Sequence, residues 1–218
     1  GNFLKRLIFD EILSVFLINS NIRKKIKKVK KKTKIFTGKF SKKLITELNF
    51  NLTIDQKNTL NEINKDISSK EKMFRLLQGD VGSGKTIVAL ISALNVIESG
   101  YQVAFMAPTE ILANQHFNLA KKIFSKDINI GILTSKTDLT NKKIIQTNIK
   151  KNKINIIFGT HSLFQQKTIF NNLGYIIIDE QHKFGVRQRK LLSDKGGKNC
   201  DILLMSATPI PRTLTMSI

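Results

Sequence analysis

From Leu52 onward, short apolar runs alternate with amphipathic stretches, and this alternation constrains the fold more than any other feature. Residues 74–77, 103–107, 128–133, 154–158, 175–178 and 202–205 are largely apolar, broken only by Arg75, Asn129 and Asn155, and are too short for helices. They read as strands buried on both faces. Residues 86–98, 110–124, 141–150 and 186–192 read as the intervening helices, the first closed by Gly100. Strands and helices in alternation predict an α/β fold of three layers: a mostly parallel sheet with helices on both sides. The three prolines, Pro108, Pro209 and Pro211, all follow strand ends, where the chain leaves the sheet.

The first quarter of the chain has a different texture. Residues 3–19 show a helical stripe of Leu4, Leu7, Ile8, Ile12, Val15 and Phe16. A basic run follows, with no acidic residue between Arg23 and Lys43. It reads either as a solvated, self-repelling linker or as a phosphate-contacting segment. The chain therefore divides into residues 1–48, a helix plus basic linker, and residues 49–218, the α/β unit. The net charge of +21 points to a polyanionic partner. Lys, Asn and Ile are abundant throughout, as in proteins from AT-rich genomes, so the distribution says more than the total. Residues 1–50 hold 14 basic and 3 acidic side chains, against 23 and 13 in the rest. A single cysteine, Cys200, excludes a disulfide framework or a Cys-rich zinc site and fits a reducing cytosol. No apolar run approaches the ~20 residues of a membrane helix, and a cleaved signal peptide is not expected.

Gly79-Asp80-Val81-Gly82-Ser83-Gly84-Lys85-Thr86 fits the spacing of a phosphate loop, with a strand running in and a helix running out. Its glycines let backbone N–H groups turn inward around a phosphate, and the helix N-terminus adds partial positive charge. Lys85 is placed to reach the β- and γ-phosphates, and Thr86 to offer its hydroxyl to Mg²⁺. A second acidic signature stands far along the chain, where the run 175–178 ends in Asp179-Glu180. In a parallel sheet, ligands gather at the carboxyl ends of strands. Asp179 then lies beside the phosphate loop and holds Mg²⁺ through water, while Glu180 orients or deprotonates an attacking water.

Smaller groups follow other strands. Gln56 carries an amide that can pair with an adenine edge as donor and acceptor, and Phe50 is either a base-stacking or a core residue. Thr109, Gly159, Thr160 and His161 suit phosphate contacts on a DNA strand. Ser206 and Thr208 suit a relay between nucleotide and nucleic acid, or a helix cap. His182 suits a link between nucleotide and moving parts rather than a base.

Together these stretches resemble the DExH class of superfamily 2 helicases. The finer wording, GDVGSGKT, MAPTEILANQHF, GTHSLFQ, IIDEQHKFGVRQR and MSATPIPRTLTM, is similar to the bacterial RecG family, and the likeness covers nearly the whole chain. The resemblance implies a RecA-like P-loop NTPase lobe using ATP and Mg²⁺. Gln56 and residues 79–86 would hold the nucleotide, Thr86 and Asp179 the metal, and Lys85, Asp179 and Glu180 would carry catalysis. Thr109, Gly159, Thr160 and His161 would meet DNA, with His182, Ser206 and Thr208 coupling the two. It further implies branched or duplex DNA as partner, fork reversal and branch migration as activity, and a bacterial cytoplasm as location. A wedge domain and a second RecA-like lobe belong to the family and are not among these 218 residues. Transcription-repair coupling translocases of the Mfd kind share most of these words but usually carry a second Glu where Gln181 stands. Ser135 occupies a position where the family commonly has glycine, and Lys183 one where it usually has arginine.

Overall fold

The computed structural model describes residues 29–180 and 196–207. Within them the chain forms helices α1 (Lys39–Glu47) and α2 (Ile54–Ile67), then strand β1 (Phe74–Gln78) and helix α3 (Lys85–Glu98). Strand β2 (Gln102–Met106), helix α4 (Glu110–Ile123), strand β3 (Ile130–Leu133) and helix α5 (Leu139–Lys150) follow. Strand β4 (Ile156–Gly159), a 3₁₀ turn (His161–Phe164), β5 (Leu173–Ile178) and β6 (Asp201–Ser206) complete the lobe. All six strands form one sheet in the order β1-β6-β5-β2-β4-β3, and every pairing is parallel. The carboxyl ends of all strands consequently open on one rim.

The period of two along each strand divides the core. Val103, Phe105, Tyr175, Ile177, Leu203 and Met205 face the cluster that contains the apolar residues of α2, α3 and α4. Ala104, Met106, Ile176, Ile178, Ile202 and Leu204 face a second cluster with Ile149 of α5 and Leu163 and Phe164 of the 3₁₀ turn. The inner strands β2, β4, β5 and β6 are thus buried on both sides, which is why their sequences are mainly apolar rather than alternating, whereas the edge strands β1 and β3 are only partly buried. Helix α3 is buried at every position from Val88 to Ile97 because the sheet lies on one side and α1 and α2 cover the other.

All six expected strands are present, with ends displaced by a residue or two. The expected helices 86–98, 110–124 and 141–150 are present as α3, α4 and α5. Helices α1 and α2 were not anticipated. The expected helices at 3–19 and 186–192 fall outside the described residues.

Neither reading of the basic run describes Lys31 and Lys34. Both side chains are fully buried and converge on Asp201, at 2.7 and 2.8 Å. Two cations beside one carboxylate leave an uncompensated charge, and backbone carbonyls offset it. Lys31 Nζ also donates to the carbonyls of Asp66 and Ile67, and Lys34 Nζ to that of Asn199. Burial pulls the Lys31 pKa down from 10.5, against the attraction of Asp201. Asp201 accepts in addition from the Met73 amide at 2.7 Å, so one carboxylate gathers the incoming segment, β1 and β6.

Candidate active site

The phosphate loop leaves β1 at Gln78 and is fastened to the next strand at once, since the Gly79 amide donates to the Ser206 carbonyl at 3.3 Å. Gly82 and Gly84 sit at φ 83° and 82°, the left-handed region that side chains resist. As the N-cap of α3, Gly84 supplies no side-chain acceptor to the first amides of the helix. Those donors remain for an anion. Lys85 Nζ donates to the carbonyls of Gly79 and Asp80 at 2.5 and 2.8 Å, lying along the loop. Thr86 follows it in the first turn of α3.

Gln56 joins this loop from another element. Its side chain closes a capping box with Thr53 at the start of α2 and donates through Nε2 to the Ser83 carbonyl at 2.9 Å. A Cβ at Gly84 would also press on the end of the Gln56 side chain, which would have to move off the loop. Phe50 is 50% exposed and so has no core role.

Asp179 follows the last residue of β5, and its amide donates to the Met106 carbonyl at 2.8 Å. By the alternation of the strand it shares a face with Tyr175 and Ile177, the side on which α4 lies. There it meets His116, whose Nε2 stands 2.7 Å from Oδ2. The Glu180 amide donates to Oδ1 at 2.9 Å. Glu180 is a non-glycine residue at φ 48°, a conformation that costs on the order of 1–3 kcal/mol and gathers at functional sites. Strand β6 alone separates β5 from β1, so the acidic pair and the phosphate loop stand two strand spacings apart, roughly 10 Å. That gap suits a hydrated cation and a phosphate. The oxygens on either side of it, the Thr86 hydroxyl in the first turn of α3 and the Asp179 carboxylate after β5, are hard ligands. Among the described residues no group of three or more His, Cys, Asp or Glu forms a metal cage. Magnesium fits this pattern, because it binds through one or two carboxylates plus phosphates and keeps several waters.

The other expected residues lie further along the same rim, at β2 and β4. Thr109 caps α4 by accepting from the Leu112 amide at 3.3 Å, and it is exposed. Gly159 ends β4, where a Cβ would strike the Leu133 carbonyl. The Thr160 hydroxyl is buried against Ser162, so it is His161 that this turn presents to solvent. Ser135 donates to Glu110 Oε1 at 2.5 Å and the Lys136 amide to the same oxygen at 3.1 Å, pinning the β3–α5 loop to the start of α4. The Ser135 hydroxyl is the main cause that holds the Glu110 carboxyl below its ordinary pKa. Ser206, at the end of β6, is buried. His182 and Thr208 lie outside the described residues.

The site therefore has two groups on one rim. Gly79 to Thr86, Gln56, Asp179, Glu180 and Ser206 stand at β1, β6 and β5, while Thr109, Gly159, Thr160 and His161 stand at β2 and β4. Sequence reasoning reached His116 only as the end of the stretch 107–116 and missed its contact with Asp179. A histidine on a helix has no local signature, and only the register of α4 over β5 brings it to the carboxylate.

Comparison with known proteins agrees with this geometry. The DEAD/DEAH box helicase family matches residues 53–217. "ATP-dependent DNA helicase RecG" of Aquifex aeolicus (strain VF5) is 48% identical over 98% of this chain, and its counterpart from Thermotoga maritima is 44% identical over 98%. The chain spans only 27% of the length of each of these two relatives. Among solved structures, a RecG bound to a three-way DNA junction superposes with a TM-score of 0.80 at 40% identity, over 97% of this chain and 28% of that one. The DEAD-box helicase Mss116 bound to ssRNA and UDP-BeF shares the fold, with a TM-score of 0.65 at 24% identity, over 81% of this chain and 40% of that one.

Proposed function

This chain belongs to the DEAD/DEAH box helicase family as a RecA-like α/β lobe, and on that premise we propose that it is the ATP-binding lobe of a RecG-type motor acting on branched DNA. The observation that carries the reading is the shared rim: the glycine-rich loop after β1 and the Asp179-Glu180 pair after β5 flank one strand, with Thr109, Gly159, Thr160 and His161 beyond them at β2 and β4.

In this reading the amides of residues 79–86 and the start of α3 cradle the triphosphate, and Gln56 reads the adenine. Lys85 moves from the Gly79 and Asp80 carbonyls onto the phosphate oxygens. Thr86 and Asp179 would hold Mg²⁺, which would supply positive charge against the charge developing in transfer. Glu180 orients the attacking water and accepts its proton. Thr109, Gly159 and His161, with the backbone at Thr160, meet the DNA, and Ser206, Thr208 and His182 relay between strand and nucleotide. Fork reversal, branch migration and a bacterial cytoplasmic setting belong to the same proposal. No helix among the described residues is long and apolar enough to cross a membrane.

The test uses two preparations. The 218-residue chain should bind a fluorescent ATP analogue with Mg²⁺, and Lys85→Ala should abolish that binding. Joined to a second lobe, it should hydrolyse ATP faster with branched DNA present. Glu180→Gln should then lower kcat by about 10²–10⁴-fold while nucleotide binding persists. Hydrolysis indifferent to DNA would leave a nucleotidase with no nucleic-acid partner. DNA binding without hydrolysis, unaffected by Lys85→Ala, would leave a binding module.

A further inference from the structure

Resting on the magnesium–ATP reading of the rim, we infer that His116 is a positioning residue that aims the Asp179 carboxylate at the cation. An ionised carboxylate offers about four lone-pair directions. Two are taken inside the protein, one on Oδ1 by the Glu180 amide at 2.9 Å and one on Oδ2 by His116 Nε2 at 2.7 Å. Both side chains are only 11% exposed, so water is poorly placed to substitute for either. The imidazole is itself held, its ring 4.7 Å from that of Phe105 and tilted by 40°. The lone pairs left over face the rim, where the waters of a hydrated cation are to be met.

A purely structural carboxylate–imidazole pair could sit anywhere in the core. This one sits immediately after a strand, on the rim shared with the phosphate loop, beside a strained Glu180. Partners of this kind fix the direction and basicity of a metal-binding carboxylate, and losing one typically costs 10–100-fold in metal affinity or activity. His116 also lies two turns along α4 from Thr109, so the element that begins at the DNA-facing group is the one that steadies the metal group.

The experiment compares His116→Met, which fills the space beside Phe105 without a donor, with His116→Gln, which keeps an N–H donor. Binding of a fluorescent ADP analogue to the 218-residue chain is followed as Mg²⁺ is titrated, and again in EDTA. The wild-type chain should tighten its nucleotide as Mg²⁺ rises. His116→Met should need ~10-fold more Mg²⁺ to reach its midpoint, with unchanged affinity in EDTA, and His116→Gln should return near the wild-type midpoint. A wild-type midpoint in His116→Met overturns the inference. So does equal loss with and without Mg²⁺, which marks a merely structural role. Should His116→Met not fold, a folded His116→Gln chain that still needs tenfold more Mg²⁺ overturns it too. If the wild-type chain shows no Mg²⁺ dependence, Asp179 is not the metal carboxylate, and the parent reading falls together with this one.

Discussion

Gly84 is fixed by its backbone and crowded by a neighbouring side chain. Its φ of 82° is costly for any side chain, and the space where a Cβ would go is filled by the Gln56 amide. Gly84→Ala should therefore lose about 1–2 kcal/mol of stability in urea unfolding. It should also weaken nucleotide binding beyond what lost stability explains, because Gln56 is pushed off the Ser83 carbonyl. Legibility at this scale followed locality. Lys85, Thr86 and Asp179 could be read because their neighbours along the chain announce a strand end or a helix start. His116, Lys31 and Lys34 could not, since their partners lie 63, 170 and 167 residues away. Nothing near a lysine in a basic run says that it will be buried.

Among elements, the inner strands were legible because burial on both faces writes a mainly apolar run. Helix α2 had a signal that went unread: the Thr53–Gln56 capping box followed by Leu60, Ile63 and Ile67 at helical spacing. In α1, Lys39, Lys42 and Lys43 mask a buried Leu44 and a partly buried Phe40, so the helix looked like more linker. The ion cluster that anchors the preceding segment makes a sharp prediction. Asp201→Asn strands two buried ammonium groups and should cost about 3–5 kcal/mol in urea unfolding. The sign with pH is fixed as well. A buried lysine with a depressed folded pKa binds fewer protons folded than unfolded, so stability rises with pH there. The variant's deficit should shrink as pH climbs toward 10.5, the ordinary lysine value. Helix α5 offers another test. Residues 139–178 contain no acid, and on α5 Lys143 and Lys150 are exposed while Lys142 is half-buried. If these lysines meet phosphates, replacing all three with Gln should flatten the log–log salt dependence of DNA binding by about 2–3. An unchanged slope would mean that they only solvate the surface.

For the whole molecule, a sheet with every strand parallel gathers its chemistry on a single rim and leaves that rim open. The 218-residue chain, about a quarter of its RecG relatives, should bind nucleotide yet leave branched DNA intact in a strand-displacement assay at any ATP concentration. Unwinding by this chain alone would contradict the proposed division of labour between two lobes. The parallel sheet and the meeting of loop and acidic pair on one rim followed from alternation plus the rule that ligands gather at strand ends, whereas the strand order did not. The helical cover from α1 and α2 did not, because it depends on which surface of α3 needed shielding.

The buried lysines and the phosphate loop sit at opposite ends of one strand. Asp201 begins β6 and Ser206 ends it, about 17 Å on, with the Gly79 amide resting on its carbonyl. A pull applied to the polypeptide ahead of residue 31 would be delivered through Lys31 and Lys34 into β6, and along it to the Gly79 backbone, where the proposed nucleotide site begins. The lobe is built like a lever with its anchor bolt at one end and its contact point at the other, so tension and occupancy share a single rigid rod.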